Sequence, residues 1–132
     1  MIIGKTIHSS QLINDLMNVL PEYVKPAVYG TTDKNVIAKK EKGLQDIFSA
    51  HKSAENGKMK EAYDLLEKAL HSFVETKDPL LQAFAYFFQG ELYFKEYVLD
   101  KSKEAFQKAY DIFMPLKNIM FLSVGQKIVE ID

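Results

Sequence analysis

A group of side chains recurs in this chain at an offset of forty residues, and that recurrence restricts the available folds more than any other feature. Lys68-Ala69 followed by Phe73 returns as Lys108-Ala109 followed by Phe113. The same offset pairs Ala62 with Ser102, Leu66 with Phe106, and Ala50 with Gly90. Small residues recur where two helices must approach closely, and large apolar ones recur where they fill the space between. A repeat of this length marks units that cannot bury their apolar faces alone and do so by stacking on one another.

The pattern around the recurrence is helical. Asp33 is placed to cap a helix carrying Ile37, Leu44, Ile47, Phe48, His51 and Ala54 at helical spacing, and Asn56-Gly57 ends it. A second helix has Met59, Ala62, Tyr63, Leu66, Ala69, Leu70 and Phe73 on one face. Asp78-Pro79, a capping acid with proline at the first helical position, opens a third that runs to about Tyr97. Asp100 is expected to cap a fourth, closed near Pro115, and Asn118 to open a last helix from Ile119 to about Glu130. Short connections make each neighbouring pair antiparallel.

Upstream, Ser9 or Ser10 is placed to cap a short amphipathic helix through Leu12, Ile13, Leu16, Met17 and Leu20, which Pro21 stops. Pro26 and Gly30 then keep Tyr23 to Thr32 from forming a long regular element. The expected organisation is all-α with about five to six helices. Residues 1–32 form an accessory segment and residues 33–132 a domain of antiparallel helix-pair repeats. A plain antiparallel bundle containing two similar helices is the alternative.

The repeat resembles the tetratricopeptide repeat. The second helix of that family carries a small residue, a large apolar one four later and a small one three after that. Here those are Ala62, Leu66 and Ala69, then Ser102, Phe106 and Ala109. Its first helix carries glycine or alanine with an aromatic three residues later, matched by Gly90 and Tyr93, and Tyr86 falls where the family has tryptophan or another large residue. The resemblance covers Lys34 to Pro115, with a degenerate third repeat beginning at Ile119. Asp46, Ser49, Ser53, Gln89 and Tyr97 depart from the pattern, and the forty-residue period exceeds the family's usual length of about thirty-four. Longer repeats of this kind are similar to those of some signalling and peptide-sensing proteins.

The resemblance implies a concave side lined by the first helix of each pair. Its register places Leu44, Ile47, His51, Ala54 and Glu55 there in the first repeat, and Phe84, Phe87, Glu91, Phe94 and Lys95 in the second. A groove for acidic peptide tails would carry lysine, arginine and asparagine at these positions, whereas this one is largely apolar. Such a patch rarely stays exposed to water. It is expected to be filled by an apolar segment of a partner, or by the chain's own Leu12, Ile13, Leu16 and Leu20. Phe87 and Phe94 fit groove or core equally, while Phe88 and Phe106 fit the core better. In the last helix Ser123, Gln126, Lys127 and Glu130 form one narrow polar stripe. The remainder is apolar and asks for cover on more than one side, which a homodimer contact through Ile119, Phe121, Leu122 and Ile128 would provide.

Composition removes several alternatives. All 17 basic residues are lysine and the net charge is -1. The chain therefore lacks both an electrostatic pull toward nucleic acid and the arginine forks that read phosphate and guanine. There is no cysteine, hence no disulfide, thiol nucleophile or cysteine-bound zinc. His8, His51 and His71 show no metal-ligand spacing. Ser49-Ala50-His51-Lys52 matches the SxxK pattern without the supporting motifs, and Gly30-Thr31-Thr32-Asp33-Lys34 lacks the spacing of a phosphate loop. Glu41, Glu61, Glu67 and Glu104 mix with lysines as on solvated helix faces. No cofactor is expected. Met1 to Ser10 does not read as a signal peptide and no stretch reads as a membrane span, which points to the cytoplasm.

The expected function is a protein-interaction module, an adaptor or chaperone-like holder that grips an apolar partner segment, and not an enzyme. The first alternative is a sensory or regulatory domain for a small peptide or ligand. A helical enzyme or nucleic-acid binder ranks last.

Overall fold

A computed structural model describes residues 24–116 and 120–131, and side chains from 25 to 116 and from 124 to 131. The described residues form six helices and no strand. These are α1 (Val24–Tyr29), α2 (Lys34–Glu55), α3 (Met59–Glu75), α4 (Pro79–Lys95), α5 (Leu99–Phe113) and α6 (Met120–Ile131). Each helix from α2 onward packs on the next, and α1 lies against both α2 and α4. The fold is all-α, built of helix pairs.

Local chemistry explains the helix boundaries. The Asp33 carboxylate accepts from the backbone N–H groups of Asn35 and Val36, at 2.9 and 3.3 Å, satisfying donors that the first turn of α2 leaves open. Asp78 does the same for Leu81 at 3.0 Å, with Pro79 behind it. Asp100, expected as a cap, lies inside the first turn of α5, whose cap position is Val98 with no side-chain bond. There it favours the positive end of the helix dipole instead. Likewise α4 stops at Lys95, short of Tyr97.

The reason is a turn used three times. Gly57, Lys77 and Tyr97 take left-handed φ angles of 78°, 54° and 60°. After each, an N–H closes back on a carbonyl five residues earlier: Lys58 to Ser53 at 2.8 Å, Asp78 to Phe73 at 3.0 Å and Val98 to Tyr93 at 2.9 Å. This is the Schellman arrangement, and it satisfies carbonyls at the helix end. Three equally spaced reversals give α2, α3, α4 and α5 their alternating directions.

The core runs between the pairs, with Leu44, Leu66, Phe73, Phe106 and Phe113 at 1% exposure or less. Both repeats rely on a glycine facing a ring. A Cβ at Gly90 would sit 2.6 Å from the Phe106 ring, and one at Gly43 would sit 2.5 Å from that of Phe73. Across the α4–α5 contact, the Ser102 hydroxyl also donates to the Gly90 carbonyl at 2.8 Å.

The last turn before the expected domain boundary belongs to this core. Val28 of α1 is fully buried, and the Lys40 ammonium donates to the Ala27 carbonyl at 2.8 Å. Lys40 also pairs with Asp78 at 3.0 Å, and both side chains are nearly out of water. One buried cation therefore joins α1, α2 and the start of α4. The residues expected to form the upstream amphipathic helix, Leu12 to Leu20, lie outside the described residues, as does Asn118.

Candidate functional site

An apolar pocket of about 150 Å³ opens between α2 and α4, with α3 beneath it. From α2 it receives Ile47, Ala50 and His51, which helical spacing places on one stripe. Leu66 of α3 forms part of its floor, and Phe88, Glu91, Leu92 and Lys95 of α4 close the other wall. Ile47, Ala50 and Leu66 are buried and Phe88 is half-buried, so the interior is hydrocarbon. The rim is charged: Lys95 is exposed, Glu91 is half-exposed, and His51 lies 3.1 Å from Glu55 one turn along. Such a site buries an apolar group and orients it through charges at the edge.

The expected groove residues divide three ways. Ile47, His51 and Glu91 line this pocket. Leu44 and Phe84 are core residues at 1% and 3% exposure, the Phe84 ring standing edge-on to Phe113 at 5.5 Å. Phe87 and Phe94 face the opposite neighbours. Phe87 lies 5.7 Å from Phe106 of α5, and the Lys127 ammonium of α6 sits 5.9 Å above the Phe94 ring. Phe88, expected in the core, packs against it half-buried and is also the aromatic that lines the pocket. The cause is geometric. α4 is flanked on both sides and is apolar around most of its circumference, so neighbouring phenylalanines roughly 100° apart go to different partners.

For the expected oligomer contact, Ile119 lies outside the described residues, and so do the side chains of Phe121 and Leu122. Ile128 is half-buried against the core, while Val129 beside it is 71% exposed.

A second, polar cleft of about 210 Å³ lies between α3, α4 and α5 and includes Glu67, Gln89, Tyr93, Lys101 and Glu104. Its groups are largely satisfied by one another. The buried Gln89 amide donates to Glu67 at 3.0 Å, and the Lys101 ammonium lies 5.8 Å from the Tyr93 ring centre. Tyr93 stacks on Tyr63 at 4.8 Å. This cleft was not anticipated from the sequence; Gln89, off the tetratricopeptide pattern, is the residue that could have signalled it, since a buried amide needs a partner.

Two phenols are held in their neutral form. Burial pushes Tyr29 up to about 12, and its 2.8 Å bond to the Glu41 carboxylate adds to the shift. Burial, followed by a 2.6 Å bond to Glu96, raises Tyr63 further. Glu75 is shifted the other way, below the usual carboxylate range, chiefly by a 3.0 Å hydrogen bond from Lys39 and its charge. None of these groups lines the apolar pocket.

Among the described residues, no three histidine or acidic side chains converge as a metal site, and no helix is long and apolar enough to cross a membrane. Ser49 and Lys52 sit on α2, where the Lys52 ammonium lies 5.7 Å from the Phe48 ring centre. Comparison with protein-family models, curated proteins and solved structures returned no match.

Proposed function

We propose that this protein is an interaction module of the tetratricopeptide type, an adaptor or chaperone-like holder that takes an apolar side chain of a partner segment between α2 and α4. The observation that carries the reading is the hydrocarbon pocket with a charged rim on the face those two helices share. Its volume of about 150 Å³ is that of a cavity able to hold benzene, so it suits one leucyl or phenyl side chain. Pockets for whole drug-sized ligands are larger, roughly 300–1,000 Å³, which favours a protein segment over a metabolite. The reading carries with it a non-enzymatic role, no nucleic-acid partner and a cytoplasmic setting. Self-association through α6 is a companion proposal, motivated by exposed Val129.

Selection from a displayed library of short peptides tests it. Enriched sequences are expected to share one large apolar anchor and to lose binding to Phe88→Ala. If the folded Phe88→Ala variant retains the same peptides as the wild type, the pocket is not the recognition surface. Selection of peptides without an apolar anchor would count equally against it.

A further inference from the structure

The pocket shares its face of α2 with the point where the upstream chain arrives. Lys40, which holds the Ala27 carbonyl, is followed at helical spacing by Leu44, Ile47 and His51, so the α1 contact and the pocket edge lie on one stripe. Lys40 precedes Ile47 by seven residues and His51 by eleven, about 10 to 16 Å along the helix at 1.5 Å per residue. The 23 residues before Val24 lie outside the described residues and lead into α1, whose Ala27 carbonyl Lys40 holds. Among them Leu12, Ile13, Leu16, Met17 and Leu20 recur at helical spacing. A helix of eleven residues is about 16 Å long, comparable to the rise along α2 from Lys40 to His51. Between Gln11 and Leu20 the only charged residue is Asp15, while the exposed Lys95 at the pocket rim makes no ion pair among the described residues.

We propose that residues 12–20 of this chain are the pocket's resident occupant, an internal competitor that a partner must displace. α1, with Val28 buried and Ala27 tied to Lys40, is the fixed point that delivers the segment. This rests on the reading of the pocket as an acceptor for an apolar segment, and it adds that the acceptor is regulated from within. A site self-occupied in about nine molecules of ten binds an external ligand about ten-fold more weakly than an open one.

The test uses the full chain, wild type and Leu12→Asp/Leu16→Asp, with a fluorescent synthetic peptide of residues 8–22 as probe. The double variant is expected to bind the probe about ten-fold or more tightly than the wild type, and adding Phe88→Ala to it is expected to abolish binding. Equal binding to wild type and double variant overturns internal occupancy. If display-selected peptides still bind both in a Phe88-dependent way, the groove reading survives that failure; if no peptide binds either chain, both readings fall. A wild type that sediments as a dimer and a double variant that sediments as a monomer would place the segment on a second copy, which also overturns the proposal.

Discussion

The two helix pairs share a backbone plan and divide the same space differently between a small and a large side chain. In α2 and α3 the small–large combination is Ala50 with Leu66; forty residues later it is Gly90 with Phe106. The larger ring is accommodated because the facing residue has lost its Cβ, and the Cβ it lacks would lie 2.6 Å from that ring. The consequence is visible at the pocket. Ala50 and Leu66 border the cavity, whereas the Phe106 ring lies against Gly90. The pairs are fastened differently as well. The first is tied to α1 and α4 through the Lys40–Asp78 pair, and its turn uses Gly57, where the second places Tyr97 in the same left-handed conformation.

Breaking the buried pair has the largest expected effect. Lys40→Met leaves the Asp78 carboxylate without its counter-ion and is expected to cost about 3–5 kcal/mol, measured by urea unfolding. Adding Asp78→Asn, which keeps a capping oxygen, should recover much of that loss. A wild-type midpoint for Lys40→Met would show that the first pair does not depend on this tie.

Next is the exchange of volume between those two positions. Gly90→Ala drives a methyl into the Phe106 ring and is expected to cost about 1–3 kcal/mol. Combined with Phe106→Leu, it reproduces the composition of the first pair, and a double-mutant cycle should show positive coupling between the two sites. Additive losses would mean that the two positions do not compensate for each other.

The turns offer a smaller effect. Tyr97 is 85% exposed and left-handed, so Tyr97→Gly is expected to raise stability by about 1 kcal/mol, while Gly57→Ala should lower it by a similar amount. Thermal melts of both variants should move in opposite directions. Parallel shifts would undo the equivalence of the two turns.

The last effect appears only at alkaline pH and sits in α1 and the first pair. Above an ordinary phenol value of 10.0, the unfolded chain releases protons that folded Tyr29, at about 12, and Tyr63 retain. Stability should therefore fall as pH rises from 10 toward 12. Tyr29→Phe and Tyr63→Phe should each flatten that fall, read as unfolding midpoints against pH. An unchanged slope in both would remove the two phenols as its cause.

Much of the fold was legible because helix signals are local. Asp33, Asp78-Pro79 and Asn56-Gly57 act on backbone groups within a few residues of themselves, and those boundaries match the structure. Asp100 misled because the turn before it is closed by a left-handed tyrosine, which no propensity favours. At the candidate site, Ile47, His51 and Glu91 from the expected groove line the pocket together with Phe88, while Phe87, which fitted groove or core equally, lies against Phe106. On a helix apolar nearly all round, periodicity says that a ring is buried without saying against which neighbour.

From the sequence alone follow the all-α class, the forty-residue pairing, most helix ends, and the absence of thiol chemistry. All of these rest on covalent composition or on contacts within one or two helical turns. The tertiary structure decided the rest: which flank of α4 faces α2 and which faces α5, the burial of Val28, the meeting of Lys40 with Asp78, and the position of the pocket. Those depend on how rigid helices settle against one another. That is set by the volumes of side chains far apart in sequence, a quantity to which local pattern carries no reference.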